Sequence, residues 1–160
     1  MIKRISETHN IIVKQIKSSK DALEKLQEIK GNNKDTKITD VVFSMHGSPT
    51  SLQISEDSFG LDLDISSVIE EKDANIYLAT CSTGKKPPSG ISYAERLSQK
   101  HPTASIYAVD GRLLNMSIQF PFSKTKKPFV RCTVDTLHHS FQEPERVFAK
   151  IFRAGCEVSA

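Results

Sequence analysis

Short runs of apolar residues bounded by turn formers recur along the chain. Ile38-Thr-Asp-Val-Val-Phe-Ser-Met45, Ala74-Asn-Ile-Tyr-Leu-Ala-Thr80 and Ala104-Ser-Ile-Tyr-Ala-Val109 all have this form. It suits strands of a parallel sheet buried on both faces. Helical spacing lies around them. Ala22, Leu23, Leu26 and Ile29 share one face of a segment from Ser18 to Lys30 that Gly31 is placed to stop. Ile91, Ala94 and Leu97 do the same from Ser89 to Lys100, ending at His101-Pro102. The β-branched stretch Asn10 to Ile16 reads as a first strand, or as a backward extension of the first helix through Ile12 and Ile16.

Ser51–Ile54 and Gly60–Asp64 look like short extended pieces, and Asp64 is placed to cap a brief helix through Glu71. After Gly111 the pattern changes. Leu113 to Phe120 and Pro128 to Val134 form the two arms of a hairpin around Ser123-Lys-Thr-Lys-Lys127. Val147, Phe148, Ile151 and Phe152 make the apolar face of a last helix from Pro144 to Ala154. No internal repeat interrupts this order. Strand, helix, strand, helix, strand predicts one α/β domain over residues 1–160, with right-handed crossovers in a mostly parallel sheet.

Composition agrees with a single packed domain. The chain has 160 residues, 38% hydrophobic and 26% charged, with seven Gly and seven Pro. These values argue against wholesale disorder or a collagen-like chain. No apolar run approaches the ~20 residues that span a bilayer. The first ten residues lack the apolar core of a secretory signal, so the expected location is the cytoplasm, or export as an effector without a cleaved signal. Cys81, Cys132 and Cys156 are too few and too scattered for a disulfide framework, and none has zinc-ligand spacing. His138 and His139 would point to opposite faces of a strand. No metal site is predicted, and Cys132 and Cys156 are read as structural.

The charges segregate. Residues 40–80 carry one Lys against eight acidic residues, whereas residues 81–131 carry nine Lys and Arg against two acids. Such polarity can create a local site for phosphate or an acidic partner. The basic stretch holds no recognisable reader motif or stacking platform, so nucleic acid is not an expected partner.

Two strand ends carry the candidate chemistry. Val41-Val-Phe-Ser-Met-His46-Gly47 runs straight into His-Gly, and Ile76-Tyr-Leu-Ala-Thr-Cys81-Ser-Thr-Gly84 runs straight into a cysteine and a small-residue loop. Ligands of open parallel sheets bind at the carboxyl ends of strands. If these strands are neighbours, thiol and imidazole emerge side by side, the minimum set for nucleophilic acyl transfer. Gly47 permits a close approach of its N–H to a carbonyl oxygen. With the Cys81 N–H it forms a candidate oxyanion hole.

This pair of signatures resembles the caspase-like (clan CD) cysteine peptidases, in which one hydrophobic block ends in His-Gly and the next ends in the nucleophilic Cys. The stretch from His46 to Gly111 looks closest to the autoprocessing cysteine protease domains of large bacterial toxins and to CHAT-type domains. The resemblance implies a caspase-like three-layer fold: a mostly parallel central sheet, helices on both faces and a C-terminal β-hairpin flap. It also implies a Cys81–His46 dyad that cuts a protein or peptide substrate, the chain itself included, and needs no cofactor for the chemistry. Substrate would meet Ser82 and the Asp110-Gly-Arg112 loop. Asp110 favours a basic side chain and Arg112 an acidic one, unless the two pair with each other.

The spacing of 35 residues from His46 to Cys81 is short for the group, and Thr80 stands where several branches place an acid. Both features leave open a catalytically silent interaction module on the same fold. Finally, Lys124, Lys126, Lys127 and Arg131 occupy the position of a basic flap that binds inositol hexakisphosphate in the toxin domains, with Lys14, Lys17 and Lys20 able to converge there. The resemblance thus implies a polyphosphate activator. The plainer reading is a charged hairpin tip that keeps an edge strand from pairing.

Overall fold

The computed structural model describes residues 11–32, 38–54, 57–59, 64–70, 72–88, 90–119, 129–135 and 145–158. In chain order they form helix α1 (Ser19–Asn32), strand β1 (Asp40–Ser44) and the short strands β2 (His46–Gly47), β3 (Leu52–Ile54) and β4 (Asp57–Phe59). Strand β5 (Asn75–Ala79), helix α2 (Tyr93–Lys100) and strand β6 (Ser105–Ala108) follow. The chain then makes β7 (Arg112–Gln119), β8 (Phe129–Asp135), β9 (Glu145–Phe148), β10 (Lys150–Arg153) and β11 (Cys156–Val158).

The main sheet runs β1-β5-β6-β10-β11. The three strands expected from the apolar runs are adjacent and parallel, whereas β10 is antiparallel to both β6 and β11. The sheet is therefore mixed, with four of its strands running one way and β10 the other, in keeping with the mostly parallel expectation. The small β2-β3-β4 sheet lies in the connection from β1 to β5 and α2 in the connection from β5 to β6; Leu52 of β3 packs in the same core as α2.

Alternation along the strands separates two cores. Ile76, Leu78, Ile106 and Phe152 face one side and pack with Ala22 of α1 and Tyr93, Ala94 and Leu97 of α2. Tyr77, Tyr107 and Ile151 face the other and pack with Val130, Cys132 and Val134 of β8. Both helices thus serve the same core. Among the described residues a β7-β8-β9 sheet covers the opposite face, where the expectation had placed helices. At the amino ends of the strands, Asp40 accepts hydrogen bonds from the Tyr77 hydroxyl (2.9 Å) and the Asn75 amide (3.1 Å), tying β1 to β5.

The local readings fare unevenly. Ser18 caps α1 by accepting from the Asp21 N–H, but the helix runs through Gly31 to Asn32. The strand read over 10–16 is not formed in the described residues 11–17, nor does α1 extend back through them. Among the described residues no strand pairs with the outer edge of β1, so those β-branched residues have no ladder to join, and Val13 is 75% exposed. Of the extended piece at 60–64, residues 60–63 lie outside the described residues. Asp64 accepts from Ser66 N–H as a cap does, but only one turn follows, with Val68 and Ile69 N–H on the Ile65 carbonyl.

The hairpin forms as expected, in antiparallel register from Arg112↔Asp135 to Gln119↔Phe129. Its basic tip lies outside the described residues. The helix read over Pro144 to Ala154 is overturned: the described part, from 145, is β9 and β10. Ile151 and Phe152 are adjacent apolar residues because β10 is buried on both sides, one facing each core. A helical stripe and a two-faced strand share that short pattern.

Candidate active site

Parallel pairing of β1 with β5 sets Asp40 opposite Asn75 and continues to Ser44 opposite Ala79. The offset equals the 35 residues that separate His46 from Cys81, but the ladder ends at Ser44 and Ala79, and His46-Gly47 leaves it to pair with β3. The carboxyl ends of the two strands meet closely. A side chain added at Gly47 would stand 2.8 Å from the Cys81 carbonyl oxygen, 2.8 Å from Thr80 Cβ and 2.9 Å from Thr83 Cγ2. Only the absence of a Cβ allows this approach.

The loop after β5 is held at several points. Thr80 and Thr83 hydroxyls are buried and 2.9 Å apart. Ser82 has φ +57°, a left-handed conformation uncommon for a residue with a side chain. Its N–H donates to the Gly111 carbonyl at 2.8 Å, and Gly84 N–H donates to the Val109 carbonyl at 2.9 Å. Held backbone strain of this kind costs about 1–3 kcal/mol and clusters at functional sites. The Pro49 and Thr83 carbonyls accept from Tyr93 and Ala94 N–H at the start of α2, and Arg96 donates to the Thr50 carbonyl. Both strand-end loops are therefore clamped to one helix. That helix opens on a capping box: Ser92 Oγ accepts from Glu95 N–H and the Glu95 carboxylate accepts from Ser92 N–H. Burial pushes the Glu95 carboxyl up, but these bonds and Lys86 at 3.1 Å outweigh it and hold the group below the usual carboxylate range.

Cys81 is half-buried and the His46 side chain is exposed. The Cys81 thiol lies 3.9 Å from the Leu113 carbonyl oxygen, its hydrogen-bond acceptor. Among the described residues no hydrogen bond joins it to His46. Leu113 precedes a register shift in β7 between Leu113 and Asn115, so the ladder is irregular beside the thiol. Sequence reasoning missed this contact, and also the threonine pair, whose i, i+3 spacing was its one signal.

The other site residues are dispersed. Asp110 and Arg112 do not pair with each other. Asp110 meets Lys150 at 2.9 Å, Lys150 also meets Glu157 at 3.0 Å, and Arg112 meets Asp135 at 3.7 Å. Asp110 Oδ1 still faces the site, 3.1 Å from where a Cβ on Gly84 would be. Ser82 is half-buried beside Cys81. Lys124, Lys126 and Lys127 lie outside the described residues, and Arg131 is exposed on β8. Lys14 and Lys20 meet Glu28 and Glu24 of α1. Cys132 is 2% exposed, and burial pushes its thiol up to about 11, which disfavours the nucleophilic thiolate. Cys156 is exposed on β11, and the His138–His139 pair lies outside the described residues. No family model matches this chain, and no curated protein or solved structure is detectably similar to it.

Proposed function

We propose that this chain is a caspase-like cysteine endopeptidase with Cys81 as nucleophile and His46 as general acid–base, acting on itself or on a protein partner. The observation that carries the reading is the fit of Gly47 against the Cys81 carbonyl, which holds His-Gly and Cys at one sheet edge. His46 takes the thiol proton, the Cys81 sulfur attacks the scissile carbonyl carbon, and the oxyanion is met by the Gly47 and Cys81 N–H groups. His46 then protonates the leaving amine. Water, deprotonated by His46, hydrolyses the acyl-enzyme and returns the thiol.

A peptidyl electrophile followed by mass spectrometry tests this. Cys81 is expected to be labelled ahead of exposed Cys156, labelling is lost in Cys81→Ala, and His46→Ala slows it about 10²–10⁴-fold. A second reading, a silent interaction module, draws on the hydrogen bond of the Cys81 thiol to Leu113 instead of His46. Folded protein that resists labelling at Cys81 under excess reagent would select that module.

A further inference from the structure

The outward face of the β7-β8-β9 sheet takes no part in the chemistry above. Register sets two rows of side chains across it: Asn115, Thr133 and Arg146 in one, Ser117, Arg131 and Phe148 in the next. The row between them, Met116, Cys132 and Val147, packs with the second core, as alternation along strands requires. The six outward residues, with Cys132 and Val147 at its floor, line an open cavity of about 410 Å³, a volume within the range of small-ligand sites. None of its lining residues is acidic. Phe148 is 59% exposed, large for an aromatic ring on a folded surface. Arg146 forms no ion pair among the described residues.

Each part of this face suits a different part of one ligand. Arg131 and Arg146 are diagonal neighbours on adjacent strands, about 7–8 Å apart at the backbone, so their guanidinium forks can share a chain of phosphates. A bare polyanion would need only those cations. Phe148 offers a flat apolar surface on which a heterocyclic ring can stack, and Asn115, Ser117 and Thr133 supply neutral donors and acceptors between ring and charge. We propose that this face binds a nucleotide, with its ring on Phe148 and its phosphates on Arg131 and Arg146.

Titration calorimetry on the full chain with ATP, inorganic tripolyphosphate and a short single-stranded oligonucleotide tests the assignment. ATP is expected to bind at least about ten-fold more tightly than tripolyphosphate. Phe148→Ala and Arg146→Gln each weaken ATP about ten-fold; both sites are exposed, and unchanged circular dichroism checks the fold. The chain has no tryptophan, so Phe148→Trp adds a single reporter that should retain binding and be quenched by ATP. An oligonucleotide that binds far more tightly than ATP assigns the same ring-and-phosphate chemistry to a strand end rather than a free nucleotide. Equal binding of ATP and tripolyphosphate, no quenching in Phe148→Trp, or no binding at low salt overturns the proposal. Cys81→Ala is expected to leave ATP binding unchanged, which separates this inference from the peptidase reading.

Discussion

Gly47 and Cys132 show how differently single residues reveal themselves. The dipeptide His46-Gly47 was legible because an apolar run ends on it, and a glycine there was expected to bring an N–H close to substrate. The packing adds a second reason, since Gly47 lies against backbone and two β-branched side chains that have little room to retreat. Gly47→Ala is expected to destabilise the fold by about 1–3 kcal/mol, read as a lower urea midpoint, and to slow Cys81 labelling in the protein that still folds. Cys132 packs in the second core, and its burial gives it a pH signature. A thiol whose pKa is raised by folding stays protonated in the native state while the unfolded chain ionises. Its stabilisation is whole below the ordinary thiol pKa of 9.0 and is lost as pH rises toward about 11. The loss amounts to about 3 kcal/mol at most. In Cys132→Ala the urea midpoint should fall less steeply between pH 9 and 11 than in the parent. Identical slopes would show that burial does not govern this thiol.

Among the elements, β5, β6 and α2 were legible because each places its whole apolar pattern in the core. Strand β1 carries as strong an apolar run, yet it lies at the sheet edge, and Val42 is 51% exposed while Ile76 on its neighbour is fully buried. Hydrophobicity alone does not say which strand is central; that depends on whether another segment pairs outside it. The stretch before α1 has the composition to do so, yet its described residues 11–17 do not. The two positions should therefore respond unequally. Ile76→Ala is expected to cost about 2–5 kcal/mol through lost burial and a residual cavity, whereas Val42→Thr should change stability by less than about 0.5 kcal/mol. Thermal or urea unfolding of both variants decides this. A large loss at Val42 would mean that the outer edge of β1 is covered after all. The misread last helix follows the same logic: Ile151 and Phe152 belong to different cores, a separation that exists only after β10 has inserted beside β6.

At the scale of the molecule, the late strand β10 reaches back to the candidate site. Lys150 on β10 pairs with Ala108 of β6 in the ladder, and its ammonium sits between Asp110 and Glu157. Burial would push the Lys150 pKa down, but the two carboxylates outweigh it and hold it above the ordinary lysine range, so the group stays cationic well past neutral pH. Asp110, read from sequence as a contact for basic substrate residues, therefore faces the Gly84 loop with its charge largely offset by a residue 40 positions away. No local motif carries that information, because the partner arrives through a strand that the sequence pattern presents as a helix. On the peptidase reading, Lys150→Met should cost little stability, about 0–1 kcal/mol for partly exposed pairs. It should nonetheless raise kcat/KM for a peptide with Arg before the cut, relative to one with Glu, by about five-fold or more. The added preference should fade as ionic strength rises, since an exposed Asp110 acts through solvent that salt screens. If the ratio stays put at low salt while the variant remains folded and active, Asp110 does not face the substrate, and its pairing with Lys150 serves the fold alone.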